Sequence, residues 1–158
     1  MEFFLISINP IDVFLWTFRK NERDVVNLYN TMSPVMQIAT GGSMLNFGYW
    51  SSEHLDPISA QENLCNIFGN LSELSTAKTV LDVGSGLSAP SKLWRDSYPD
   101  LNLYDVNINF KQLSFLKDTK NIEFLNSTST KLPFMDNSVD RVLALESAQH
   151  FKPLEDFI

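Results

Sequence analysis

The sequence predicts an α/β fold, a doubly wound parallel sheet that is preceded by helices. From Thr79 onward, short apolar runs that are typical of buried strands alternate with segments of helical periodicity. Residues 21–75 show helical periodicity, apart from a break around Gly41 to Ser52. Strands that alternate with helices are joined by right-handed crossovers, so we expect the strands to lie parallel to one another.

Three regions follow from this pattern. Residues 1–20 form an apolar extension to which we assign no role, residues 21–75 a helical cap region, and residues 76–158 the domain that contains the sheet. The apolar extension is interrupted by Asn9, Pro10 and Asp12, and Glu2 stands where a signal peptide carries positive charge. We therefore expect no stable membrane span here.

The clearest helix of the cap region begins after Asp56, with Pro57 in its first turn. Aspartate accepts hydrogen bonds from first-turn N–H groups, and proline fits there because its missing N–H would have no helical partner. Helical spacing predicts that the buried face of this helix consists of Leu64, Ile67, Phe68 and Leu71.

Cys65 lies in the same helix and is the single cysteine of the chain. One cysteine allows neither an internal disulfide nor a cysteine-based metal cluster, and we predict no metal site. Since its neighbours are apolar, Cys65 is expected to be a small buried side chain rather than a nucleophile.

Four strands and two helices are predicted in the region of the sheet. One helix begins near Ser88 to Pro90 and carries Leu93, Trp94 and Tyr98. The other spans residues 110–116. The strands are expected at residues 79–83, 101–106, 121–125 and 141–145.

The net charge of the chain is -7 at pH 7. An acidic surface repels phosphate backbones and anionic lipid, so we expect neither nucleic acid nor a membrane surface as a partner. With one buried thiol and no pattern of paired cysteines, a cytoplasmic location is predicted.

A glycine-rich loop connects the first strand to the next helix. Gly84 and Gly86 allow the backbone to approach a ligand closely, and the following helix offers free N–H groups at its start. Together with Ala89 these glycines also satisfy the dinucleotide fingerprint of nicotinamide enzymes. Asp82 favours another ligand, because that fingerprint has an apolar residue there and an acid can reach a cation.

At this point the chain resembles the class I methyltransferases, in the small-molecule branch of the ubiquinone, menaquinone, tocopherol and macrolide-sugar enzymes. The matching blocks, in chain order, are 46–50 (NFGYW), 80–86 (VLDVGSG), 106–113 (VNINFKQL), 132–140 (LPFMDNSVD) and 144–151 (ALESAQHF). The resemblance implies a Rossmann-like sheet, S-adenosylmethionine as the cofactor and a small molecule as the methyl acceptor.

The resemblance also implies the residues of the cofactor site. Asp82, Gly84, Ser85 and Gly86 would hold the methionine end. Tyr49 would cover the cofactor or, as the alternative, be part of the core. Three positions depart from the family pattern. Ser88 replaces the third glycine of the loop. At the end of the second strand, Asn107 takes the place of the acid that binds the ribose, and Asp105 aligns with a glycine of the family. Thr128 and Ser129 lie at the adenine end, where the family has an acid in place of Thr128.

Two residues after the fourth strand are candidates for catalysis. An imidazole has an ordinary pKa of about 6.5, which makes His150 a general-base candidate for removing a proton from the acceptor. Ordering of its loop is the alternative role of His150. Glu146 is expected either to orient the substrate or, as we favour, to cap the next helix.

The family's sheet has further strands than the four predicted here, so we expect an incomplete domain. The fourth strand would then be an exposed edge through which the chain self-associates. Two other functions stay open: a catalytically inactive cofactor-binding or interaction fragment, and a nicotinamide-dependent oxidoreductase.

Overall fold

The computed structural model of the chain describes Ile11, Phe14 and residues 21–158. Apart from these two exposed side chains, the predicted apolar extension at residues 1–20 lies outside the described residues. Within the described part of the chain, no helix has the length and apolar character that crossing a bilayer requires.

Residues 21–158 form four α-helices: α1 (Glu22–Thr40), α2 (Pro57–Leu71), α3 (Ala89–Ser97) and α4 (Phe110–Ser114). Short 3-10 turns lie at Leu74–Thr76, Ala148–His150 and Leu154–Asp156. The predicted start of α2 is confirmed, because the Asp56 carboxylate accepts a hydrogen bond of 3.0 Å from the N–H of Ser59. Helix α1 ends at Gly41, which takes the left-handed conformation that closes many helices.

The sheet contains four parallel strands: β1 (Thr79–Val83), β2 (Asn102–Val106), β3 (Ile122–Leu125) and β4 (Arg141–Leu143). Their order is β3-β2-β1-β4. The prediction of a parallel, doubly wound sheet is therefore confirmed. The limits of β1 agree with the prediction, whereas β2, β3 and β4 are each shorter by one or two residues.

Alternate residues of β1 and β2 point to opposite faces of the sheet. On one face Val80 and Leu103 pack, with Cys65 and Trp94, into a core that α2 and α3 cover. On the other face Leu81, Val83 and Val106 pack against the segments that follow β3 and β4.

The predicted buried face of α2 is wrong in its details. The residues that α2 buries are Ala60, Gln61, Cys65 and Gly69, whereas Leu71 is 78% exposed. The reason is the indole of Trp94, which donates a hydrogen bond of 2.9 Å to the carbonyl of Cys65. A Cβ at Gly69 would lie only 3.1 Å from the indole nitrogen, so small residues must face it. Phe68 stacks beside the indole.

Candidate active site

A cavity opens at the carboxyl ends of the four strands, the edge at which doubly wound sheets bind ligands. It encloses about 960 Å³ of space, including solvent at its mouth. Nine of the eleven predicted site residues line it: Asp82, Gly84, Ser85, Gly86, Asn107, Thr128, Ser129, Glu146 and His150. Asp105 and Tyr49 do not line it.

The glycine loop closely approaches its neighbours on the cavity floor. Gly84 has a φ of 81°, and its N–H donates a hydrogen bond of 2.7 Å to the carbonyl of Val106. A Cβ at Gly84 would lie 2.5 Å from the Cβ of Ser147. Any side chain at this position would therefore displace the segment after β4, and with it one wall of the cavity.

The hydroxyl of Ser85 is the clearest ligand-directed group of the loop. Its Oγ is buried in the cavity wall and has no hydrogen-bond partner among the described residues. Native proteins pair nearly all buried polar atoms, so the unpaired Oγ of this cavity-lining residue is a candidate contact for a polar ligand. The observation fits the methionine end of S-adenosylmethionine, which carries an amino and a carboxylate group.

Asp82 and Asp105 form a buried pair of carboxyls beneath the glycine loop. They are register neighbours on β1 and β2 and are only 2% and 0% exposed. The hydroxyl of Ser91 on α3 lies 3.2 Å from Asp82 and 2.6 Å from Asp105. The hydroxyl has a single proton to donate, so both contacts are fully satisfied only when one of the two carboxyl groups is protonated and donates to Ser91.

Burial and neighbouring charge govern the titration of this pair. Burial, and after it the charge of Asp105, raise the pKa of Asp82 well above its usual value, although the Ser91 hydroxyl opposes the shift. Burial raises the pKa of Asp105 to about 6. Asp82 faces the cavity while Asp105 lies behind it. Asp105 is thus placed to support Asp82 from behind the cavity wall, whereas the sequence predicted it among the cofactor-binding residues.

Asn107 lies in the cavity wall with both N–H groups of its amide engaged. They donate to the carbonyl of Gly86 at 3.0 Å and to the side chain of Gln112 at 2.8 Å. Its amide oxygen accepts from the N–H of Asn109 at 2.9 Å. For a ligand hydroxyl, Asn107 therefore offers the remaining lone pair of its amide oxygen.

Helix α1 lies over the strand ends and turns a polar face toward the cavity. Four of its side chains, spaced as on one helical face, contact residues that follow β2, β3 and β4: Glu22 with Thr128, Tyr29 with His150, Asn30 with Asn109, and Ser33 with Gln112. This polar face of α1 is not among the predicted site residues. A polar stripe on a helix is usually solvated, and nothing local indicates its partners about 80 or more residues away.

His150 and Tyr29 face each other across the cavity wall. The hydroxyl of Tyr29 lies 3.0 Å from Nε2 of His150, and the two rings meet edge to face with their centroids 5.4 Å apart. A tyrosine hydroxyl that hydrogen-bonds one ring nitrogen orients the imidazole and sets its tautomer. The contact occupies Nε2, so His150 can accept a proton only on Nδ1, in the tautomer in which Nε2–H donates to the Tyr29 hydroxyl.

The structure gives Glu146 and Tyr49 contacts that the sequence did not predict. The carboxylate of Glu146 accepts a hydrogen bond of 2.9 Å from the backbone N–H of Phe47, and does not cap the following 3-10 turn. It thereby ties the segment after β4 to the loop between α1 and α2. Tyr49 is 55% exposed, and its backbone is held by Ala60 and Asn63 of α2.

No group of three or more histidine, cysteine or acidic side chains suited to a metal ion occurs in the described residues. The buried thiol of Cys65, whose pKa burial raises to about 12, is not a nucleophile near neutral pH.

Comparison with known proteins agrees with this geometry. Residues 81–158 match the family model described as a methyltransferase domain. The chain is 26% identical over 150 residues to erythromycin 3''-O-methyltransferase of Saccharopolyspora erythraea, covering 90% of this chain and 49% of that protein. It is 26% identical over 137 residues to methyltransferase GfsG of Streptomyces halstedii, covering 81% of this chain and 49% of that protein. The chain thus spans about half the length of the curated relatives it matches.

Among solved structures, the chain is similar to the cyclase SpnF, with a TM-score of 0.79 at 18% identity. The match covers 87% of this chain and 54% of that one. At this identity the similarity shows the fold alone. A cyclase on the same fold also means that the chemistry must be argued from the site rather than from the architecture.

Proposed function

We propose that this protein transfers a methyl group from S-adenosylmethionine to an oxygen, nitrogen or carbon atom of a small molecule, because residues 81–158 match the model of a methyltransferase domain and the sheet is the Rossmann-like sheet of that class. The activity of the whole protein is a proposal, since the chain covers about half of its curated relatives.

One observation carries the proposal: a buried acid and an unsatisfied hydroxyl converge on the glycine loop. Asp82 contributes the acid and Ser85 the hydroxyl, and both line the cavity. An acid at this position suits the cationic amino group of the cofactor and not the pyrophosphate of a dinucleotide. Nothing in the structure or the comparisons favours the nicotinamide-dependent oxidoreductase or the inactive fragment.

When bound, S-adenosylmethionine supplies a methyl group activated by its sulfonium. The chain's own residues then have two tasks. Asp82, Ser85 and Asn107 hold and orient the cofactor. His150, whose Nε2–H donates to the Tyr29 hydroxyl in the tautomer that this role requires, accepts on Nδ1 the proton that an acceptor hydroxyl or amine loses, which is general-base catalysis.

Titration of the purified chain with S-adenosylhomocysteine by calorimetry tests the cofactor assignment. Asp82→Asn keeps the shape of the side chain and removes the carboxyl group that ionises against the amino group of the ligand, and we expect it to weaken binding about 10- to 100-fold, the range for losing a charge-assisted hydrogen bond. Asp100→Asn is the matched control, since Asp100 is exposed and outside the cavity wall. Absence of binding by the folded parent chain refutes the assignment, and equal affinity of both variants refutes the role of Asp82.

We propose three further properties together. The partner is a small-molecule acceptor and not nucleic acid, which the net charge of -7 supports. A cytoplasmic location agrees with the single, buried thiol. Self-association is proposed at β4, whose outer edge pairs with no strand in the described residues and carries the half-exposed Val142. Light scattering of the purified chain tests the last of these, and a strictly monomeric mass contradicts it.

A further inference from the structure

Helix α1 contributes a carboxylate to the wall of the cavity, at a position that the sequence did not predict. Glu22, in the first turn of α1, lines the cavity and is hydrogen-bonded to the hydroxyl of Thr128 in the loop after β3. The two residues are 106 positions apart in the sequence. The contact therefore depends on how α1 packs over the strand ends.

The order of the strands gives this carboxylate a definite place along the cavity. The segments after β1, β2 and β3 are neighbours, because the strands themselves lie side by side in that order. Asp82 and the glycine loop are at β1, Asn107 is at β2, and Glu22 with Thr128 is at β3. An elongated ligand whose amino end lies at Asp82 and whose ribose lies at Asn107 would extend its base toward Glu22.

The chemistry at this end requires a donor from the ligand. An ionised carboxylate only accepts hydrogen bonds and has about four lone-pair sites, of which the Thr128 hydroxyl uses one. Adenine presents an exocyclic amine with two N–H groups, whereas a purine without that amine presents no donor there. A carboxylate at this point therefore distinguishes the two bases.

We propose that Glu22 recognises the exocyclic amine of the adenine base, and that Thr128 positions the Glu22 carboxylate for this contact. The inference rests on the proposed cofactor. The family has its adenine-binding acid at the position of Thr128. In this chain the carboxylate comes from α1, so residues of the cap region and of the loop after β3 would bind the base together.

The alternative is that Glu22 serves only the helix, because an acid in the first turn stabilises the positive end of α1. Asp24 provides the matched control for this role. It lies in the same first turn but not in the cavity wall. Asp24→Asn thus removes one first-turn charge without changing the cavity, and Glu22→Gln removes the same charge from inside it.

The test compares the affinity of S-adenosylhomocysteine with that of its analogue that has purine in place of adenine and so lacks only the amine. We expect the parent chain to prefer the adenine compound about tenfold or more, the Glu22→Gln variant to lose most of this preference, and Asp24→Asn to keep it. An unchanged preference in Glu22→Gln, or no preference in the parent chain, overturns the inference while leaving the proposed cofactor intact. If neither compound binds to the folded parent chain, the proposed cofactor and this inference both fail.

Discussion

Replacing Asp105 with asparagine should change how the stability of the protein depends on pH. The side chain is 0% exposed, and burial raises its pKa from 3.8 to about 6. In the unfolded chain the same carboxyl returns to its ordinary pKa. Between these two values the folded protein therefore binds more protons than the unfolded chain does.

The sign and the size of the effect follow from this difference. Because the folded state holds the extra proton, the free energy of unfolding falls as the pH rises from about 4 to about 6. A shift from 3.8 to about 6 is about two pKa units, and each unit is worth about 1.4 kcal/mol, so the loss is roughly 3 kcal/mol. Asp82 adds to the loss in the same direction, since its pKa is also raised.

Asparagine at position 105 keeps the shape of the side chain but cannot ionise. Its amide can donate to the Ser91 hydroxyl, which then donates to Asp82, so the buried contacts remain satisfied. Urea unfolding, followed by circular dichroism at several pH values, should show that the variant is about as stable as the parent near pH 4 and more stable at pH 7 by up to about 3 kcal/mol.

Asp140→Asn supplies a control that changes the net charge by the same amount but should have the opposite effect on stability at neutral pH. Backbone N–H groups of Lys78 and Thr79 donate to Asp140 and lower its pKa, so its contribution to stability is lost as the pH falls. The Asp140 variant should therefore lose stability at neutral pH relative to the parent. If the Asp105 variant has the pH profile of the parent chain, or loses stability at pH 7, the account of the buried pair is refuted.

Two further predictions concern the glycine loop and the histidine. Gly84→Ala should destabilise the protein by clearly more than Gly41→Ala, which we expect to cost about 1–2 kcal/mol in urea unfolding. Both glycines have positive φ, but only at Gly84 does a Cβ meet Ser147, at 2.5 Å, so equal costs would contradict the close packing. Tyr29→Phe should shift the imidazole resonances of His150 and not those of the other histidine, His54, in NMR spectra. Unshifted resonances of His150 would contradict the hydrogen bond between the Tyr29 hydroxyl and Nε2 of His150.

The sheet could be predicted because its signals are local. Thr79–Val83 is an apolar run of the length of a strand, and its limits agree with the structure. The turn after it needs glycine at Gly84 because the backbone there has positive φ. Asp56 likewise stands directly before the helix that it caps. In each case the residues that determine the structure are close in sequence to the structure that they determine.

The predictions differ from the structure where the contacts of a residue depend on a side chain that is distant in the sequence. The buried face of α2 depends on Trp94, whose indole leaves room only for small residues such as Gly69. Asp105 was predicted to lie at the cofactor from its place in a motif, yet it is fully buried, lies against Ser91 and does not line the cavity. Glu146 was expected to cap a helix, and instead it reaches the N–H of Phe47.

The departures from the family motif at Thr128 and Asn107 therefore do not by themselves measure how well the site binds. A motif compares one position of the chain with the same position in relatives, whereas a ligand meets all the side chains that surround it. At Thr128 the acid is absent from the loop, but a carboxylate from α1 lies against the same hydroxyl. At Asn107 the charge is absent, and the amide is instead held rigidly by Gly86 and Gln112. A rigid acceptor loses less conformational entropy on binding, which offsets part of the missing charge. The chemistry of this site is thus set by how α1 packs over the strand ends as much as by the motif itself.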